Sequence, residues 1–188
     1  PVDAADAVAA WPVVAFAHEV MRSRGFTLHL LTHPRQTNRR RAVNTARHLP
    51  QHTRLLCDDG LSHPWQVLPG CDFALAIGPH AGGLSLLWAM AGNIPIVGEA
   101  TYAISEIIED RHSALLARPD APNLLAHRLE QLMSDPQLAW KLRDTARHDA
   151  YSFFSRKRYC EQLAMTYEQM MEGKEVSLPQ MQVTGGLR

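Results

Sequence analysis

From residue 26 to residue 117 the sequence alternates short apolar runs with segments of helical period, an order that few architectures accept. FTLHLLT (26–32), TRLLC (53–57), DFALAI (72–77), IPIVG (94–98) and SALLA (113–117) are short, branched and bounded by turn residues. Each predicts a strand. Between them lie a basic helix at 35–49, a helical turn in PWQVLPG (64–70), a helix at 83–92 and a short helix around 103–110. Strands alternating with helices imply parallel pairing, right-handed crossovers and helices on both faces. The expected fold class is therefore α/β, a doubly wound parallel sheet. Ligands of such sheets bind outside the carboxyl ends of the strands.

Helical signals flank this core. AADAVAAWPVVAFAHEVMRSRG has helical spacing and stops at Gly25, with Pro12 predicting a kink or a late start. After residue 120 the pattern is all helical. PNLLAHRLEQLMSD (122–135) is amphipathic, and the next helix opens with Asp135 as N-cap and Pro136 at its first position. SRKRYCEQLAMTYEQMMEG (155–173) follows, with Ser155 as its cap. These segments predict a helical C-terminal cap on one domain, residues 1–172. The aperiodic stretch 173–188 is expected to be a flexible tail.

The totals narrow the function classes. The 188 residues include 19 basic and 19 acidic side chains, so no general attraction to nucleic acid is expected. No apolar run reaches the roughly 20 residues of a transmembrane helix. Three cysteines without CxxC spacing suggest reduced, mostly buried thiols and a cytoplasmic setting. Ten scattered histidines offer no clustered metal ligands, so no structural metal is expected.

The chemistry concentrates in AIGPHAGGLSLLWAMAGNIPIVGE (76–99). A strand enters a turn holding Pro79, Gly82 and Gly83, and a helix leaves it. Glycines let the backbone approach a ligand, and the free N–H groups of a helix start carry about half a positive charge. Such a turn suits phosphate. Two glycines are also common in an ordinary strand-to-helix turn, and that reading stays open on the local pattern.

The order of residues from Gly83 onward resembles the C-terminal donor-binding domain of retaining GT-B glycosyltransferases of the group 1 type. In that family E-G-F-G-L-P-L-L-E-A-M-A-x-G-x-P-V-V leads into G-G-x-x-E-I-I-x-D-G-x-x-G-L-L, followed by a D-P-x-L segment and a helix opening with F-S. Gly83-Leu84, Leu86-Leu87, Ala89 to Gly92, Pro95, Val97, Glu106 to Ile108, Asp110, Leu115-Leu116, Asp135-Pro136 and Phe154-Ser155 match in order. The resemblance covers roughly residues 2–172 and implies a Rossmann-like fold, one half of a GT-B architecture.

It further implies a glycosyltransferase-like domain that binds a nucleotide-diphosphate sugar donor for glycosyl transfer and is inactive alone. The acceptor-binding N-terminal domain and the family's first strand would lie upstream of Pro1. The implied donor-binding residues are Gly82, Gly83, Leu84, Ser85, Trp88 and Glu106. His80 stands in the catalytic slot, and His33, Arg35 and Asp58 are further candidate phosphate or base contacts. The donor is a substrate, so no cofactor is implied, and this architecture needs no metal.

Two departures matter. The family's glutamates eight residues apart are replaced by His80 and Trp88. Histidine lacks a fixed negative charge, and tryptophan, with one N–H donor and no acceptor, cannot hold a ribose diol as glutamate does. Tyr102-Ala103 also replaces the family's glycine pair, adding bulk where a donor sugar would sit. Alternatives stay open at each point. His80 is a site residue or a solvating turn residue, and Trp88, with Leu84, Leu87 and Ala91, is core or ligand platform. The arginines at 35 and 39–41 are a solvated helix face or phosphate charge. A non-catalytic relative acting as a ligand-binding or interaction module is the alternative function.

Overall fold

The computed structural model describes residues 28–32, 53–57, 68–77, 83–119 and 121–173. The expected helix before residue 25, the basic helix at 35–49 and the tail from residue 174 lie outside them. Strands β1 (Leu28–Thr32) and β2 (Thr53–Cys57) pair in parallel, from Leu28 opposite Thr53 to Thr32 opposite Cys57. A 3₁₀ turn at Leu68–Gly70 precedes β3 (Ala74–Ala76). Strands β4 (Ile96–Glu99) and β5 (Leu115–Ala117) complete a second parallel group in the order β3-β4-β5. All five expected strands form, and every described pairing is parallel. They hydrogen-bond as a pair and a triplet, and no β2–β3 ladder occurs among the described residues.

Alternation along β3, β4 and β5 builds two cores. On one face Leu75, Ile77, Val97, Leu115 and Ala117 pack with Leu125, Leu129 and Leu132 of α3 (Pro122–Ser134) and with Leu142 of α4 (Pro136–Phe153). On the other, Ala74, Ala76, Ile96 and Leu116 meet Leu86, Ala89 and Met90 of α1 (Leu84–Ala91), together with Ala146 and Ala150 of α4. Small residues line this second face, so α1 can lie close to the sheet. Burial at period two on the strands and period 3.6 on the helices thus places helices on both faces, as the sequence predicts. Helix α5 (Arg156–Met171) buries none of its residues.

Capping sets the helix ends. Leu138 N–H donates to Asp135 Oδ1 (3.0 Å) and Arg158 N–H to Ser155 Oγ (3.4 Å), so both expected N-caps hold. Helix α1 closes with Asn93 N–H on Met90 O and Ile94 N–H on Ala89 O, a Schellman pair. Asn93, at φ 59°, supplies its left-handed residue. Gly92 stays right-handed.

The helix expected around 103–110 is shorter. Helix α2 covers only Tyr102–Ser105, because residues 109 and 110 are held by the turn into β5. Ser113 and Ala114 N–H both donate to Glu109 O, and Leu116 N–H donates to Asp110 Oδ1 (2.8 Å). The last strand starts at Leu115 rather than Ser113, since Ser113 Oγ accepts from Glu109 N–H (3.0 Å). Arg128, on α3, donates from Nε to Leu116 O and reaches Asp110 Oδ2 at 3.5 Å, tying α3 to the same turn.

Arg111 sits in this turn at φ 61°. The related pattern has glycine at that step, and a β-carbon in the left-handed region costs about 1–2 kcal/mol. Arg111→Gly forfeits only a contact to Asp110 at 3.8 Å between exposed groups. The substitution should keep or raise the melting temperature; a clear fall would show that the arginine side chain stabilises the turn.

Candidate functional site

Helix α1 starts at the carboxyl edge of β3, where a doubly wound sheet presents its ligands. Its N-cap is Gly83, at φ 79° and ψ −146°, a backbone conformation open essentially only to glycine. A β-carbon built there meets nothing within 4 Å, so conformation, and not crowding, demands the glycine, and its backbone faces open space. The first intrahelical bond is Leu87 N–H to Gly83 O (3.1 Å). The N–H groups of residues 83–86 therefore precede the helical ladder. No acidic residue occupies the first turn. Leu84 is 66% exposed and Ser85 half-buried, so the helix end is open to solvent and carries the positive pole of the peptide dipoles.

Trp88, one turn further, is half-buried and packs on the core cluster that contains Leu86, Ala89 and Met90. Its ring contributes to packing, one of the two roles that its helical spacing left open. Leu84, placed on the same stripe by spacing, is instead exposed, because the helix begins there and has no preceding turn to pack against. Trp88→Glu removes much aromatic packing and sets a carboxylate against apolar neighbours, so it should cost about 2 kcal/mol or more. Thermal unfolding reads this directly, and an unchanged midpoint would mean that the ring does not stabilise the core.

The end of β4 supplies polar groups to the same carboxyl edge. Glu99, its last residue, is only 6% exposed. Thr101 caps α2, and its Oγ1 is buried without a hydrogen-bond partner among the described residues. Tyr102 is 82% exposed. A hydrogen bond to the Glu106 carboxylate, with the negative charge of that group, raises the Tyr102 phenol above its ordinary pKa. Glu106 ends α2 as its C-cap, and its N–H donates to Tyr102 O (3.1 Å). Glu106 is thus an exposed carboxylate engaged with Tyr102. Composition gave no hint of this pair; its i, i+4 spacing was the available signal.

Gly83, Leu84, Ser85, Trp88 and Glu106 are placed by the structure. His33, Arg35, Asp58, His80 and Gly82 lie outside the described residues. Cys71 is half-buried, which pushes its thiol pKa up, while Cys160 is exposed, so burial does not extend to both of the cysteines whose side chains are described. Among the described residues no group of three or more His, Cys, Asp or Glu is arranged to hold a metal ion. No described helix is long and apolar enough to cross a membrane.

Comparison with known proteins agrees with this layout. Residues 70–149 match the sequence model of glycosyl transferases group 1. No curated protein matches the chain. Among solved structures, a glycosyltransferase from Rickettsia africae ESF-5 is similar with a TM-score of 0.67 at 18% identity, over 88% of this chain and 45% of that one. Anabaena Alr3699/HepE in complex with UDP is similar with a TM-score of 0.64 at 17% identity, over 82% and 44%. The chain thus spans about half the length of these two. The C-terminal domain of a glycosyl transferase group 1 family protein, LpcC, from Francisella tularensis aligns over 77% of this chain and 80% of its own length, with a TM-score of 0.59 at 17% identity. Residues 70–149, which carry the glycine-started α1, the parallel β3-β4-β5 group, helix α3 and most of α4, are thus similar in sequence to glycosyl transferases group 1, and the fold is that of the C-terminal half of such enzymes.

Proposed function

We propose that this chain is the donor side of a glycosyltransferase and binds a nucleotide-diphosphate sugar whose diphosphate sits on the start of α1. One observation carries this reading. Gly83 holds a backbone that only glycine adopts readily, is exposed, and leads into N–H groups that precede the helical ladder at the carboxyl edge of a parallel sheet. The solved structures of Anabaena HepE with UDP and with UDP-glucose name the ligand class to try first. Gly82, Gly83, Leu84 and Ser85 would cradle the diphosphate, and Glu106 would lie beside the donor. His80 would stand near the sugar, with His33, Arg35 and Asp58 toward the phosphate or base. Transfer would need an acceptor-binding domain outside this chain, which supplies the other half of the cleft and excludes water.

The packing of Trp88 weakens the donor site in this reading. A glutamate in its place would accept from ribose hydroxyls, and losing a charged hydrogen-bond partner costs about 1.5–3 kcal/mol, or one to two decades of affinity. The chain should bind UDP or UDP-glucose weakly, with Kd about millimolar or somewhat tighter. Ligand-detected NMR across a panel of nucleoside diphosphates and nucleotide sugars measures this. Absence of saturable binding by every member would defeat the proposal.

The replacement of both glutamates favours a second reading, a non-catalytic relative that serves as a ligand-binding or interaction module. The upstream coding sequence separates the two. A second Rossmann-like half supports the enzyme, and its absence supports the module.

A further inference from the structure

The turn between α4 and α5 concentrates charge that the chain as a whole balances. Between Thr145 and Cys160 stand Arg147, Arg156, Lys157 and Arg158, all exposed, in a chain with no net charge. The one carboxylate of that stretch, Asp149, is buried, with His112 Nε2 3.5 Å from its Oδ2, at ion-pair distance without hydrogen-bond alignment. Lys157 reaches Glu161 at 3.8 Å across an exposed surface, a contact that water screens. Aromatic rings lie among these cations. The Arg147 guanidinium is 5.8 Å from the Tyr151 ring centroid and that of Arg158 is 5.5 Å from Phe153, while Tyr151 and Tyr159 are exposed.

Placement sharpens the observation. Arg156, Lys157 and Arg158 fill the first turn of α5, which contains no acidic residue. Peptide dipoles disfavour cations there. Their position therefore costs helix stability, which the screened Lys157–Glu161 contact and the Arg158–Phe153 ring contact offset only in part, and a local rule broken in this way points to a surface used for binding.

We propose that the α4–α5 turn docks on an anionic membrane surface, with Arg147, Arg156, Lys157 and Arg158 among the lipid headgroups and Tyr151 and Tyr159 at the headgroup boundary. Charge complementarity selects an anionic partner. Amphipathic rings beside the cations select a bilayer interface over a polynucleotide, since tyrosine settles where apolar and aqueous phases meet.

Sedimentation of the full 188-residue chain with vesicles tests this. The chain should partition onto phosphatidylcholine vesicles containing phosphatidylserine, lose that binding as salt rises, and ignore phosphatidylcholine alone. Each Lys or Arg near an anionic bilayer is worth about fivefold in partitioning. Arg156→Gln/Lys157→Gln/Arg158→Gln should therefore bind about a hundredfold more weakly at an unchanged or higher melting temperature. Arg147→Gln, on the other helix, should lose about fivefold and guards against a folding defect in the triple variant. Equal binding to both vesicle types, undiminished binding by the triple variant, or binding of single-stranded RNA without binding of phosphatidylserine vesicles would each overturn the proposal.

Discussion

Gly98→Val should leave the domain unable to keep its β3–β4 pairing. Gly98 lies in β4, the central strand of the triplet, opposite Ala76 on one side and Leu116 on the other. A β-carbon there would stand 2.8 Å from Ala76 O and 3.0 Å from Ala76 Cβ. The nearer atom is backbone, so no rotamer change relieves the clash and the two strands must move apart. Overpacking a core costs about 1–3 kcal/mol and more when backbone is displaced, so valine should cost about 3 kcal/mol or more and alanine somewhat less. Circular dichroism melts of the two variants should fall in that order. A valine variant with the parental midpoint would show that the strands separate freely.

Leu142→Ala should also be costly, for the opposite reason. Leu142 is fully buried on α4 and packs with Val97, Leu115, Leu125 and Leu129. Deleting its side chain leaves a cavity between the sheet and two helices, a change worth about 2–5 kcal/mol. At roughly 2–4 °C per kcal/mol for a domain of this size, the midpoint should drop by many degrees. The size of that drop tests whether the helical cap is part of the cooperative unit. A loss below about 1 kcal/mol would mean that α4 can leave the sheet without unfolding it.

Much of this architecture is legible in the sequence because two periodicities state it. The strands at 53–57 and 72–77, the helix after Gly83 and the caps at Asp135 and Ser155 follow from spacing and cap chemistry alone. What spacing cannot show is where tertiary hydrogen bonds take over. The helix expected around 103–110 stops at Ser105 because Glu109 and Asp110 serve the turn into β5, and their partners lie downstream at Ser113 and Leu116. Asn93 and Arg111 adopt left-handed backbone without the glycine that would announce it. At the candidate site, the glycine start of α1 is readable, whereas the half-burial of Trp88 depends on how α1 meets the sheet. The Tyr102–Glu106 bond depends likewise on a single helical turn that local propensity leaves undecided.

The central claim is that the start of α1 holds a nucleotide diphosphate through backbone amides. Amide-resolved NMR titration with UDP-glucose tests it most directly. The account predicts saturable shifts of the Gly83, Leu84 and Ser85 amides with a common Kd. Gly83→Val should abolish them, because a branched residue strains the N-cap backbone by about 1–3 kcal/mol. Saturable binding that leaves these three amides unmoved, or that persists undiminished in a folded Gly83→Val variant, would contradict it.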